Sequence, residues 1–264
     1  MNVQKPSREL TVEESLTMTL NLYINNFVKF FIPMLISSLV SGIFSSMLSD
    51  YISTVKIPET GAGTEAWNSF FGNVAVLLIA SLAFFIVALI TNVIVEGVCI
   101  KNASSLIEKG ATNTEEALIF TVHKLLHLLA ASIITGIIIG VGLVLLVVPG
   151  IIFAIMFSLV LPSVIIENVG VADSLSRSRK LVSNRWLKTF AFYVIIAIMI
   201  LFVGAIAFFV AEPFGAFGSL AKNMVNSIVA AFVGPAVPIA MTVYYYSMRG
   251  REQQQQVPPP PPPF

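Results

Sequence analysis

The chain has 264 residues, of which 56% are hydrophobic and only 11% charged, with a formal net charge of +1. Its mean hydropathy is +0.89. Soluble domains carry roughly 25% charged residues, so a water-soluble globular fold is excluded, and no nucleic-acid partner is expected from so neutral a balance. The single cysteine, Cys99, cannot form an internal disulfide and reads as a small packing residue at the end of an apolar helix.

In chain order, residues 1–10 are polar and carry no apolar run before a cleavage site, so no removable signal peptide is expected. Residues 11–26 read as an amphipathic surface helix. Thr11 is its N-cap, Glu14 stands at the capping-box position, and Leu16, Leu20, Tyr23 and Phe27 follow at helical spacing. Residues 27–48 form the first expected span, with Pro33 as a kink, and residues 50–73 a polar loop. The second span covers 74–95, with Glu96 at its far edge. Residues 101–124 repeat the amphipathic theme, with Asn113 as cap, Glu116 three residues on, and Leu118, Val122, Leu125 and Leu129 on one face.

No charged side chain occurs between residues 128 and 166. At about 1.5 Å per residue one helix of that length would run roughly 58 Å, against a hydrocarbon core of about 30 Å. The chain must turn back, and Pro149-Gly150 is the expected place. That makes 128–148 the third span, with Gly136 and Gly140 at a small-xxx-small spacing, and 151–166 a short fourth span interrupted by Pro162. Glu167 follows, then a basic amphipathic segment with Arg177, Arg179, Lys180, Arg185 and Lys188. The fifth span covers 189–210. The sixth covers 226–246, broken by Pro235 and Pro238 and closed by an expected interfacial belt, Tyr244 to Tyr246.

Glu14-Ser15-Leu16, Glu116-Ala117-Leu118 and Asp173-Ser174-Leu175 align without gaps, and eleven residues after each leucine stands Phe27, Leu129 or Trp186. The chain is thus a threefold repeat of one surface helix and two spans. The reading is an all-α polytopic membrane protein with six transmembrane helices and three interfacial amphipathic helices. Its expected parts are an N-terminal cytoplasmic segment (1–26), a membrane domain (27–248) and a disordered Gln/Pro-rich cytoplasmic tail (249–264). Thirteen of the fifteen Lys and Arg fall on the side of both termini, Lys56 and Lys222 opposite, so the positive-inside rule makes the termini cytoplasmic in a cell membrane.

Pro149-Gly150, Pro162, Glu167, Ser174-Leu175, Arg177-Ser178, Leu181 and Trp186 together resemble the signature of a six-helix membrane domain family. That family is found fused to bacterial glycerophosphoryl diester phosphodiesterases and as stand-alone prokaryotic membrane proteins of unassigned function. The match covers residues 148–188, and Asn184 stands where such sequences more often place glycine. The resemblance implies a fold and a location, with no activity attached.

Candidate site residues follow from this stretch: Pro149, Gly150, Pro162, Glu167, Ser174, Arg177, Ser178, Arg179 and Trp186 as a structural or lipid-contact motif, with Glu96 as a second rim acid. Arg179 takes the place of Leu20 and Val122 in the other two repeats and breaks their apolar stripe. Arg177 and Arg179 both fall within reach of Glu167, and an arginine fork can grip a carboxylate or a lipid phosphate in two parallel bonds. The expectation is that one holds Glu167 while the other faces headgroups. Pairing with nearby cations is the preferred reading of both rim acids over a proton or ion site.

His123 and His127 stand at ligand spacing, but no acid or cysteine completes a metal site. No Ser-His-Asp order, P-loop or nucleotide fingerprint occurs, so no enzyme activity, cofactor or metal is expected. No polar cluster is apparent within the spans, which weighs against a membrane-embedded lipid enzyme. The leading reading is a non-catalytic structural or accessory membrane protein whose cytoplasmic amphipathic helices contact lipid headgroups or a partner. The alternative is a transporter or channel lined by the proline-broken helices. Membrane lipids are the expected partners. The proline run reads as a solvated polyproline II spacer, or as a docking strip for a partner protein. The sequence sets no oligomeric state.

Overall fold

The structure, a computed structural model, describes residues 5–256, which form helices and no strand. In order these are α1 (Val12–Asn25), α2 (Phe27–Thr54), α3 (Thr64–Lys109), α4 (Thr114–His123), α5 (Leu125–Leu145), α6 (Val147–Met156), α7 (Val160–Ile166), α8 (Val171–Val182), α9 (Trp186–Ala211), α10 (Ser219–Val233) and α11 (Ala236–Gln256). Six stretches are long and apolar enough to cross a bilayer: α2, α3, α5, Val147–Ile166, Trp186–Phe217 and Ser219–Gln256. Their surfaces expose Leu78, Ile79, Phe85, Ile137, Leu201, Phe202 and Phe209, each by more than half. Water does not tolerate apolar patches of this extent, whereas hydrocarbon solvates them. The chain is an all-α, multi-pass integral membrane protein.

The helices belong to two compact units. Among the described residues the first comprises 5–33, Val93–Met199 and 235–256, and the second Met34–Asn92 and Ile200–Gly234. The first unit holds thirteen of the fifteen cations, the second only Lys56 and Lys222.

Several boundaries differ from the sequence expectation. The polar loop over 50–73 shrinks to residues 55–63, because α2 runs to Thr54 and α3 starts at Thr64. Residues 101–109 are the end of α3, a helix of 46 residues, so only α4 remains of the second amphipathic helix. Asn113 caps α4 by accepting from the Glu115 N–H at 3.0 Å, not through a box with Glu116. The reversal between the third and fourth spans occurs at Leu146 (φ −160°, ψ 141°), three residues before Pro149. Pro149 sits in the first turn of α6, where an intrahelical donor is not needed.

Gly150 serves packing. A Cβ there would lie 2.7 Å from the Leu143 backbone nitrogen, and one on Gly142 would lie 2.9 Å from Gly150 Cα, so α5 and α6 touch backbone to backbone at these two positions. Gly136 and Gly140, the spacing noted in the sequence, have nothing within 4 Å of an added Cβ. Gly150→Ala is therefore expected to lose about 1–3 kcal/mol by overpacking. Gly136→Ala is expected to be neutral or to gain up to about 1 kcal/mol from helix propensity. Chemical unfolding of the two variants in one detergent checks the contrast, and equal effects would place the α5–α6 contact elsewhere.

The core of the first unit is built from Ile155, Leu159, Leu181, Val182, Phe192, Tyr244, Tyr245 and Met248. Tyr244, Tyr245 and Tyr246 are fully buried, so they form no interfacial belt. Consecutive helical residues point about 100° apart, so burying all three requires α11 to be enclosed over most of its circumference. Tyr244 stacks on Phe192 with centroids 4.6 Å apart and shares a 2.7 Å hydrogen bond with Thr189. Tyr246 donates to Glu108 at 2.8 Å and meets Ser104 at 2.8 Å.

In the three aligned segments the burial they share falls in a different column from the leucines. Ser15, Ala117 and Ser174 are buried, and four residues later so are Thr19, Thr121 and Ser178. Leu16 and Leu175 are only half-buried, and Leu20, Leu118 and Val122 are exposed. Small residues let a helix approach its neighbour closely, and a hydroxyl can bond back to its own turn. Thr19 and Thr121 do so, donating at 2.7 Å to Ser15 O and Ala117 O. On α4 the neighbour is Gly97 of α3, where an added Cβ would fall 2.5 Å from Thr121 Cγ2.

In the second unit α2 and α10 meet at Gly42, whose added Cβ would collide with Ser227 Oγ and lie 3.1 Å from Asn223 O. Ser46 and Ser219 share a 2.8 Å hydrogen bond, and Phe44 stacks on Phe84 at 5.1 Å.

Candidate functional site

The fourth span is broken once, between α6 and α7. α6 ends at Met156 and α7 begins at Val160, so the gap lies ahead of Pro162, which occupies the first turn of α7 and is buried. A break in a spanning helix frees backbone groups that lipid cannot satisfy. Here Ser178 satisfies them from α8: its Oγ donates to Met156 O at 2.7 Å and accepts from the Leu159 N–H at 3.1 Å. Ser178 and Leu159 are both fully buried.

Between α7 and α8 the chain passes through Asn168 at φ 56°. Asparagine tolerates this left-handed conformation better than most residues. The turn sets Glu167, at the end of α7, against Arg177 of α8. Arg177 donates from Nε and Nη2 to the two Glu167 oxygens, each at 2.8 Å, and from Nη1 to Glu252 of α11 at 2.9 Å. Lys180 lies 3.0 Å from Glu252, and Arg249 lies 4.0 Å from Glu167. Glu252, then Glu167, raise the Arg177 guanidinium above its ordinary value against the opposing effect of burial. One guanidinium thus ties three helices together.

The Arg179 side chain is exposed and makes no hydrogen bond or ion pair with the described residues, whereas Arg177 is the arginine that holds Glu167. Ser174 is buried and bonds only within its own helix, to Val171 O at 2.7 Å. Trp186 is 36% exposed at the start of α9. The rim acids separate. Glu167 is paired, whereas Glu96 is half-buried and has no hydrogen bond or ion pair among the described residues, which corrects the expected pairing. Asn184, the departure from the resembled family, has φ 62°. Glycine is the residue best suited to that backbone, and asparagine is among the next best. His123 turns its Nδ1 to Ile119 O at 2.8 Å, and both histidines are exposed.

Sequence reasoning missed two partners of this site. Residues 249–256, expected in a disordered tail, continue α11 and supply Arg249, Arg251 and Glu252; residues 257–264, including the proline run, lie outside the described residues. The N-terminal segment crosses α11 at Gly250, where an added Cβ would lie 2.9 Å from the carbonyls of Pro6 and Arg8. Leu10 donates its N–H to Ser247 at 2.8 Å, Lys188 donates to Leu10 O at 2.6 Å, and Glu9 pairs with both Arg185 and Lys188. A charge run directly after a span end was the available signal for the first partner.

Beside this cluster lies a cavity of about 330 Å³ lined by Lys180, Ser183, Asn184, Arg251, Glu252 and Gln255, among others. Arg251 spends one nitrogen on the last turn of α8, donating from Nη2 to Ser183 O at 3.2 Å. Its Nε and Nη1 are buried and have no hydrogen-bond partner among the described residues. Glu252 offers no relief, since Arg177 and Lys180 already hold it.

Acid should release the N-terminal segment. Burial would raise the Glu9 carboxyl, but hydrogen bonds and charge from Lys188 and Arg185 outweigh it and hold it below its ordinary 4.5. The Arg8 side chain, then the Thr11 N–H, hold Glu14 at about 2. A carboxyl depressed in the folded state contributes stability above its unfolded value and loses it as pH falls through the folded one. A nitroxide at Ser7→Cys is expected to be immobile at neutral pH and to gain mobility as pH drops from about 4.5 towards about 2. Glu9→Gln should shift that release to higher pH. A label that stays immobile through the whole range would remove these carboxylates from the docking.

Compared with protein-family models, with curated proteins and with solved structures, the chain finds no match in any of the three.

Proposed function

We propose that this membrane protein is non-catalytic and of accessory type, with its basic face gripping the phosphate of anionic lipid headgroups at the Arg251 cavity. The observation that carries the reading is Arg251, which lines that cavity and whose Nε and Nη1 are buried without a hydrogen-bond partner among the described residues. Buried donors are rarely left unpaired, and an arginine fork matches two phosphate oxygens in parallel. Arg179, exposed at the same end of α8, adds electrostatic attraction of about 1 kcal/mol near an anionic surface. A cell-membrane location with both termini cytoplasmic is part of this proposal. It is supported by the first unit carrying residues 5–33 and 235–256, the two ends of the described chain, and thirteen of the cations. The family resemblance of residues 148–188 supports the same placement.

The test is the thermal stability of the purified protein in detergent, titrated with phosphatidylglycerol or phosphatidylcholine. Stabilisation by a ligand follows its affinity for the folded state, so the anionic lipid should raise the midpoint more than the zwitterionic one. Arg251→Gln should abolish the difference, and Arg251→Lys should restore only part of it. An undiminished response in Arg251→Gln would overturn the proposal.

A further inference from the structure

The second unit contains a cavity of about 220 Å³ between α2, α3 and α10. Along α2 the polar part of its wall runs from Ser37 to Ser45, about 15–27 Å past the helix start at Phe27, well inside the spanning part. The sequence reading of spans without a polar cluster is corrected here: each serine is only mildly polar, and the cluster arises from three helices distant in sequence.

Six side chains on this wall, Ser38, Ser41, Ser45, Asn223, Asn226 and Ser227, make no hydrogen bond with any described residue. Ser227 is only 7% exposed. Asn92 has a single long partner, accepting from Ser37 at 3.4 Å. None of the serines bonds back to its own helix, as Thr19 and Thr121 do in the first unit. At membrane depth uncommitted polar groups are unfavourable unless something polar meets them. No charged residue lines the cavity, so an ion of either sign would lose its hydration without gaining a counter-charge. Hydroxyls and carboxamides each donate and accept, which complements a guest that does both. At about 30 Å³ per water, 220 Å³ holds about seven waters or one small solute.

We infer that this cavity is a binding site for a small, uncharged, multiply hydroxylated solute of the polyol class. It is independent of the Arg251 cavity, which belongs to the other unit. The test is saturation-transfer NMR on the full chain in nanodiscs, with erythritol as probe and choline and butyrate as charged comparators. Erythritol should give a saturable signal, and the comparators none. Asn223→Leu, which replaces the carboxamide with an apolar group of the same shape, and Ser227→Ala, which removes one oxygen without adding volume, should each weaken binding by about five-fold or more, the loss of at least one hydrogen bond. If Asn223→Leu does not insert, Ser227→Ala carries the test. Absence of a saturable signal from the parent, equal signals from the charged comparators, or undiminished binding by Ser227→Ala would each overturn the assignment. So would a weakened signal that coincides with dissociation of an oligomer, which would make the polar wall a contact between copies.

Discussion

Replacing Arg177 with alanine is expected to destabilise the protein by about 3 kcal/mol, the lower end of what breaking a buried ion pair by removing one partner produces. The lower end applies because Arg177, Glu167 and Glu252 keep side-chain exposures of 18%, 18% and 20%. The loss arises from what is left behind. Glu167 retains only Arg249 at 4.0 Å, and Glu252 retains the exposed Lys180. Lysine at position 177 should recover less than half, because a single ammonium cannot make the two parallel bonds to Glu167 and a third to Glu252. The triple variant Arg177→Met, Glu167→Gln, Glu252→Gln should return close to the parent, since removing the whole cluster leaves no orphaned charge. Equilibrium unfolding in detergent reads all three. If Arg177→Ala stays within about 0.5 kcal/mol of the parent, as a surface substitution does, the cluster does not hold α7, α8 and α11 together.

Ser178→Ala is expected to cost about 2–4 kcal/mol, more than its small change in volume suggests. Two backbone groups lose their partner at once, the Leu159 N–H and the Met156 carbonyl, and a buried group left unpaired costs about 1–3 kcal/mol. Ser174→Ala, one turn earlier on the same buried face, should cost under about 1 kcal/mol, because its hydroxyl bonds only to its own helix. Hydrogen exchange at the Leu159 amide gives a local readout and should accelerate in Ser178→Ala alone. Equal stability losses in the two variants would mean that burial of a small side chain, rather than the helix break, makes this face important.

The spans were legible because a bilayer imposes one blunt requirement, an apolar stretch long enough to cross it, and α2, α3, α5, α9 and the two broken helices all meet it. Their ends were less so. Pro149-Gly150 has the composition of a turn, yet its glycine is required by the close approach of α5 and α6, and the chain turns at a leucine. The three surface segments were aligned on their leucines, although the column they share in burial is the adjacent serine, alanine and threonine, since polarity scales undervalue small residues that fit between helices. Arg177 and Glu167 were connected from the sequence because only ten residues separate them. Glu252 lies 75 residues from Arg177 and precedes a glutamine run, so local composition hid it. Arg251 and the serine wall of the second unit share that limitation: their meaning lies in missing partners, which only three-dimensional neighbours reveal.

The hydrogen bond from Leu10 to Ser247 joins residues 237 positions apart, and α1 rests on α11. At about 5–20 residues per second, the ribosome needs roughly 12–50 s to make the chain between those residues. Throughout that interval the first helix to emerge has its small-residue face uncovered, and Glu9 lacks Arg185 and Lys188 until α8 and α9 are made. Final closure of the first unit therefore waits until residue 247 has been made. A chain that stops between α10 and α11 would keep the Glu9 pairs with Arg185 and Lys188 but would lack both the Ser247 bond and the helix on which α1 rests.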